Sequence, residues 1–209
     1  MKIFKGIGLI VLTVLVFIAF SYGRPIVYGG VGGGLSRYWD SNSLQKYIGA
    51  NCGVGFQPFF SVLGITFDYD FDYYFPIKAR DCIREYHVNY HDCFISCNLL
   101  FLKNTNIQVG VGSSFINSHI EFLRDTIISE FPFNSVLYHK GDTYSTKGSI
   151  GFSCKLSVWY GIPRFGNHFQ LYCKIKAKSA HMGPVVTGIY GYYAPHLPFH
   201  LSLGIIFKS

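Results

Sequence analysis

Apolar residues alternate with small or polar ones along much of this chain. From Ile150 to Tyr160 every second residue is apolar or Cys, and most of the residues between are Gly, Ser or Lys. A period of two places successive side chains on opposite faces of a β-strand. The same period runs through residues 63–73, 107–115 and 169–177. Such extensive alternation restricts the chain to a sheet whose strands each have one apolar face.

Eight segments carry this pattern or a close variant. They span roughly residues 26–38, 45–56, 60–75, 84–102, 106–116, 146–160, 167–178 and 197–207. Short links follow the second, fourth and sixth segments, and longer links follow the others. Short turns at one end and long loops at the other are typical of up-and-down barrels. The sequence therefore predicts an all-β fold, an eight-stranded antiparallel up-and-down transmembrane β-barrel with short periplasmic turns and long outer loops.

The composition favours a membrane barrel. The chain is 49% hydrophobic and only 14% charged, whereas soluble domains are about 25% charged. Beyond the N-terminus no apolar run approaches the roughly 20 residues that a spanning helix needs. A closed barrel satisfies its backbone polar groups within the sheet, which makes it the other structure that can span a bilayer.

The first 23 residues have the three parts of a secretory signal. Lys2 and Lys5 precede an apolar run from Ile7 to Phe20, and small residues follow it. The run is short for a transmembrane anchor, which is the alternative interpretation. We therefore expect a signal peptide over residues 1–23 and a barrel domain over residues 24–209.

These features together resemble a known family. The carrying residues are the signal-like N-terminus, the glycine-rich stretch VYGGVGGGLSRYW, the alternating strands and the near-terminal Phe207. The chain resembles the small outer-membrane β-barrel family of Gram-negative bacteria, the OmpA/OmpX-like class with eight strands. The resemblance implies a bacterial outer-membrane location, contact with membrane lipid and lipopolysaccharide, and insertion by the outer-membrane assembly machinery. That machinery usually reads a terminal aromatic residue, whereas here Lys208 and Ser209 follow Phe207.

The run HVNYHDCFISC, residues 87–97, has the residue types of a metal site. Residues four apart on a strand share a face but lie about 13 Å apart. Zinc ligands must each lie about 2.0–2.3 Å from the ion. Neither His87 with His91 nor Cys93 with Cys97 can therefore chelate along the strand. We expect no metal site, no cofactor and no disulfide framework.

The apolar phase changes within this strand. The positions predicted to face outward are Tyr86, Val88 and Tyr90, followed by Cys93, Ile95, Cys97, Leu99 and Phe101. The two sets differ in phase by one residue. This difference predicts a β-bulge near His91 and Asp92.

Charged residues fall on the predicted inner face. They are Asp68, Asp70, Asp72, Lys155, Lys174 and Lys176. An eight-stranded barrel is just wide enough to be filled by side chains, and buried charges have to be paired. A calcium site is the alternative, but alternate positions spread the three carboxylates over about 13 Å. The sequence therefore predicts a lumen closed by a polar network.

The expected function is structural, or an interaction at the cell surface, without catalysis. Residues 117–145 are apolar for a solvated loop, and the spacing of Ile120, Leu123 and Ile127 predicts a helical cap or a surface for a protein partner. The net charge of +7 is not gathered into the basic stripe typical of nucleic-acid binding.

Two alternatives remain open. One is a lipid A-modifying enzyme in the same barrel that uses a wall histidine, with His87, His91, His168 and His200 as candidates. The other is a secreted, lipocalin-like barrel with its apolar face turned inward around a ligand. The opposite face, largely Gly and Ser, disfavours the second because few charged groups would solvate it.

Overall fold

The structure is a computed structural model that describes most of the chain after residue 23. The described residues are 24–37, 44–57, 63–78, 83–102, 104–130, 134–146, 150–162, 168–178 and 199–208. They form strands β1 (Arg24–Arg37), β2 (Leu44–Gln57), β3 (Leu63–Tyr74), β4 (Ile77–Lys78), β5 (Arg84–Leu102), β6 (Thr105–Phe122), β7 (Thr126–Glu130), β8 (Asn134–Tyr138), β9 (Thr143–Thr146), β10 (Ile150–Gly161), β11 (Phe169–Lys178) and β12 (Phe199–Lys208). Within these ranges there is no α-helix, and so none that is long and apolar enough to cross a membrane.

Eight of the strands close into a barrel. Their order around the wall is β5, β3, β2, β1, β12, β11, β10 and β6, and β6 pairs with β5 to complete the ring. Every neighbouring pair in the ring is antiparallel. Closure leaves the wall without a free sheet edge across the membrane, as the bilayer requires. The predicted eight-stranded barrel is confirmed.

The alternation directs apolar side chains outward. The exposed fraction is 60% for Val31, 59% for Phe152 and 63% for Leu203, whereas Asp70 is fully buried on the inner face. An outer band of Val, Leu, Ile and Phe matches the lipid-facing surface of a transmembrane barrel. A lipocalin-like barrel would have the opposite arrangement.

The predicted bulge near His91 and Asp92 is wrong. β5 pairs with β3 without interruption from Asn89 to Leu99, and its pairing with β6 shifts only between Leu99 and Leu102. Tyr86, Val88 and Tyr90 are buried inside the barrel. The strand therefore keeps one phase throughout. In its upper part, up to Tyr90, the apolar side chains face inward and the polar ones face outward, which is the reverse of the lower part.

The polarity of the two faces reverses because β5 and β6 are longer than the bilayer is thick. β5 has 19 residues and β6 has 18, whereas a tilted strand crosses a bilayer in about 9–11. Their upper halves therefore rise above the lipid, where the outward side faces water. Apolar residues there turn inward, and outward positions carry His, Asn and Glu.

The predicted helical cap over residues 117–145 is also wrong among the described residues. β6 continues to Phe122, β7 and β8 form a separate hairpin, and β9 pairs with the upper part of β6. Ile120 points into the barrel as a strand residue. The β-branched pair Ile127 and Ile128 suits a strand better than a helix.

Candidate functional site: the barrel interior and the upper wall

Charged side chains fill the middle of the barrel. Four carboxylates and four ammonium groups lie there, all on buried residues: Asp68, Asp70, Asp72, Asp92, Lys155, Lys174, Lys176 and Lys178. The six residues singled out from the sequence are all in this group. Asp92 was missed because the predicted bulge near it obscured its phase. Lys178 was missed because it lies at the end of its strand.

Each of the sequence-predicted lysines contacts a carboxylate. The nitrogen–oxygen distances are 2.8 Å for Lys155 with Asp68, 2.7 Å for Lys174 with Asp70 and 2.5 Å for Lys176 with Asp72. Four positive charges balance four negative ones, so the cluster has no net charge. This balance is what allows ions to remain buried, because each one loses its hydration shell.

The remaining carboxylate, Asp92, joins the upper pairs into a network. It lies 2.7 Å from Lys178 and 3.2 Å from Lys176, and it accepts a hydrogen bond from Ser114. Lys178 also lies 2.9 Å from Asp72. The upper carboxylates thus share the upper lysines rather than forming isolated pairs.

The order of the strands brings the two sets of charges together. β3 carries three aspartates and β11 carries three lysines at alternate positions. The two strands lie four steps apart in a ring of eight, so they face each other across the lumen. Glycines make room for large neighbours: a Cβ at Gly32 would overlap the Tyr172 hydroxyl, and one at Gly53 would overlap Asp68 and Tyr28.

Neutral polar side chains close the periplasmic end. Tyr28 donates a hydrogen bond of 2.5 Å to Asp68, and Gln108 donates one of 3.2 Å to the same carboxylate. Asn106 donates to Asn98, which donates to Thr66. These bonds extend the network from the charged layer to the lower end of the barrel.

Aromatic rings close the outer end. Tyr47, Tyr74 and Tyr90 surround the buried His200, whose Nδ1 hydrogen-bonds with the Tyr74 hydroxyl. The void between this layer and the charged layer, beside Gly49, has essentially no room for a water molecule. Buried side chains thus fill the described interior at the periplasmic end, in the charged middle and at the outer end.

The other candidate histidines lie on the wall and at a turn. His91 hydrogen-bonds with the Tyr69 hydroxyl at 2.6 Å, and His168 with the Lys208 carbonyl at 3.0 Å. His87 stacks on His119 on the upper wall. Burial and the nearby His87 lower the pKa of His119. A tyrosine or a backbone carbonyl, rather than a serine, thus holds His91, His168 and His200.

The described cysteines are free, and they face outward. They are Cys52, Cys93, Cys97, Cys154 and Cys173. Each takes an outward position in the lipid-facing band, where a thiol behaves as a small apolar group. Cys82 lies outside the described residues.

Comparison with solved structures defines the class of this fold. No family model matches the chain, and no curated protein sequence matches it either. Solved structures of small outer-membrane barrels do align with nearly the whole chain. Together with the lipid-facing band, they show that the chain has the fold of an eight-stranded outer-membrane β-barrel.

Two of these structures are bacterial surface proteins. Ail, the attachment invasion locus protein of Yersinia pestis, aligns over 90% of this chain and 99% of its own, with a TM-score of 0.52 and 7% identity. Neisserial surface protein A aligns over 88% of this chain and 97% of its own, with a TM-score of 0.51 and 12% identity. At these identities the likeness concerns the fold.

Proposed function

We propose that the protein is a non-conducting, non-catalytic barrel of the bacterial outer membrane that acts through its extracellular surface. The packed lumen carries this proposal. Four lysines and four aspartates occupy the middle of the barrel lumen. A solute would have to displace paired, desolvated charges, which is costly. The structure therefore favours a role on the outside over one in transport.

The extracellular side carries an element suited to a surface role. The β7–β8 hairpin presents Ile127 directly opposite Leu137, and their exposed fractions are 68% and 52%. Phe122 stacks on Tyr138 with ring centroids 4.3 Å apart, which ties the base of the hairpin to the barrel. Apolar side chains held in solvent beyond the membrane are typical of interaction surfaces.

The similar structures support the same role. The name of one describes it as an attachment protein, and that of the other as a surface protein. Ail has also been crystallised with a heparin analogue, sucrose octasulfate. We take heparin as a first probe for the present chain, and proteins as a second because the exposed hairpin is apolar.

An adhesion assay tests the proposal. Cells that express the wild type should adhere to plates coated with protein or heparin better than cells without the barrel. The double variant Ile127→Ser with Leu137→Ser should lose most of this adhesion, because it removes the exposed apolar pair. Val31→Ala, a change on the lipid-facing wall, is the control and should adhere as the wild type does. Equal adhesion with and without the protein would contradict the proposal, as would ion conductance by the purified barrel in planar bilayers.

Three further expectations belong to the same proposal. Residues 1–23 would act as a cleaved export signal. The assembly machinery would read the last strand, in which Phe207 is 49% exposed on the outer face. The outer apolar band would contact membrane lipid and the acyl chains of lipopolysaccharide, and the extracellular loops would contact a protein partner.

A further inference from the structure

Four ligand-type side chains form a square on the outer face of the upper wall. His87 on β5 lies directly opposite His119 on β6, and Glu85 lies directly opposite Glu121. The two imidazole rings are parallel within 4°, with centroids 4.4 Å apart. Geometry excludes His87 from pairing with His91 along the strand, but a partner across the strands is within reach.

The distances in this square are close to those of a metal site. The Nε2 atom of His87 lies 3.5 Å from a Glu121 oxygen and 3.7 Å from a Glu85 oxygen. Two ligands of a tetrahedral zinc ion, each about 2.0–2.1 Å from it, are about 3.3 Å apart. Among the described residues no group of three or more such side chains is already assembled to hold a metal. Closing the square requires shifts of a few tenths of an ångström at the carboxylates and a rotation of the exposed His119 ring out of the stack, because a metal ion lies in the plane of each imidazole that binds it.

Two observations favour the binding of a cation at the square. The Nε2 atom of His87 is shielded from solvent and has no hydrogen-bond partner. Glu85 and Glu121 face each other across the strands, and like charges in that position are destabilising. A cation between the carboxylates would remove the repulsion, and the His87 nitrogen, which lies within 3.7 Å of both, could bind it in the neutral form of the ring.

The position of the square makes it accessible. It lies above the lipid band, on the half of β5 and β6 whose outward side faces water. The side chain of Glu121 is 40% exposed and that of His87 is 22% exposed. An ion could therefore enter from the outside without crossing lipid.

We propose that His87, His119 and Glu121, assisted by Glu85, bind one divalent transition-metal ion such as Zn²⁺ at the extracellular end of the barrel. Imidazole and carboxylate are the ligands that suit zinc and copper. The ion would clamp β5 to β6 where lipid no longer supports the wall. The site is independent of the proposed surface role, because the β7–β8 hairpin contributes no ligand to it.

Metal titration of the untagged, refolded barrel in detergent tests the site. Calorimetry with Zn²⁺ should show one site per chain that weakens at least tenfold in His119→Asn, since even the loss of a residue that only supports a ligand costs about 10–100-fold. Electron paramagnetic resonance with Cu²⁺ should show two nitrogen ligands in the wild type and one in that variant. The matched control is His139→Asn. His139 is an extracellular histidine that lies 3.8 Å from the carboxylate of Asp125, and its replacement should leave both signals unchanged.

The double variant His87→Asn with His119→Asn separates this site from any other. Metal bound elsewhere on the chain would remain in the double variant. The heat-dependent shift in gel mobility of a folded barrel verifies that each variant folds. If the folded double variant binds Zn²⁺ as tightly as the wild type, or if His139→Asn weakens binding as much as His119→Asn, the site does not exist.

Discussion

Lys176 is the most connected cation of the interior, so its removal is a severe test of the charged network. Its nitrogen lies 2.5 Å from Asp72, 3.2 Å from Asp92 and 3.4 Å from Asp70, and its side chain is fully buried. The change Lys176→Met keeps the length of the side chain and deletes the charge. Each of the three aspartates still has one lysine neighbour, Lys174 or Lys178. The interior then holds one negative charge that is not balanced.

The expected loss in the free energy of unfolding follows from this one unbalanced charge. Removing one partner of a buried ion pair destabilises a protein by about 3–5 kcal/mol, because the remaining charge stays desolvated. No discount for solvent screening applies, since neither Lys176 nor Asp92 has an exposed side chain. The double variant Lys176→Met with Asp72→Asn restores the balance, with three charges of each sign. We expect it to be destabilised by less than half as much as the single variant.

Urea unfolding of the barrel in detergent micelles or lipid vesicles measures both variants. Fluorescence reports the transition, because Trp159 is buried in the interior beside Tyr28. With Asp72→Asn measured beside them, the free energies should be strongly non-additive, with a coupling of at least about 2 kcal/mol, as contacting residues can show. If Lys176→Met unfolds within about 0.5 kcal/mol of the wild type, or if the double variant is the less stable of the two, the network does not hold buried, paired charges.

Two further predictions concern the wall. Gly32→Ala should destabilise the barrel by about 1–3 kcal/mol, because its Cβ overlaps the Tyr172 hydroxyl, whereas at Gly29 the nearest atom lies at 3.8 Å. Gly29→Ala should therefore unfold near the wild-type urea concentration, and equal effects of the two changes would disprove the inward placement of Gly32. Leu203→Arg, on the lipid-facing side, should cost about 2–4 kcal/mol in vesicles, while Ile127→Arg on the hairpin should change stability little. A reversed order in vesicle unfolding would mean that the outer face does not contact lipid.

Most of the fold could be predicted from the sequence, because the alternation of residue types along a barrel strand distinguishes its outward face from its inward face. In β10 and β11 the alternation is unbroken, and both strands have the predicted phase. In β5 the same rule gave a false bulge, because it assumes that apolar means outward along the whole strand. That assumption holds only for the part of the strand that lies in the lipid. Periodicity alone does not reveal the residue at which the strand leaves it. With the phase known, the outward positions of β5 change from Cys93 and Ile95 to polar residues at and before Asn89, and we infer that the membrane boundary lies there.

Contacts between side chains on different strands were the other feature that could not be predicted from the sequence. Asp68, Asp70 and Asp72 could be placed on an inner face from alternation alone, but their partners depend on which strand lies opposite. The pairing of His87 with His119 likewise depends on the register between β5 and β6. Residues 32 positions apart in the chain become neighbours only when that register is known. The sequence run 87–97 therefore contained one ligand of the candidate metal site, His87, and gave no indication of the others.

The aspartates of β3 and the lysines of β11 that face them, here called the charged ladder, also have a consequence for the assembly of the barrel. Aspartates at alternate positions of β3 face lysines at alternate positions of β11, with Lys174 on Asp70 and Lys176 and Lys178 on Asp72. A shift of either strand by one residue would turn every charge of that strand into the lipid. A shift by two residues would keep the charges inside but would leave a lysine or an aspartate at one end of the ladder without a partner. Apolar packing alone would tolerate the second error far better, since the outward faces consist of interchangeable Val, Leu, Ile and Phe. We therefore infer that the buried charges serve to specify the register of the barrel more than to add to its stability, a use that buried polar groups have in some other proteins.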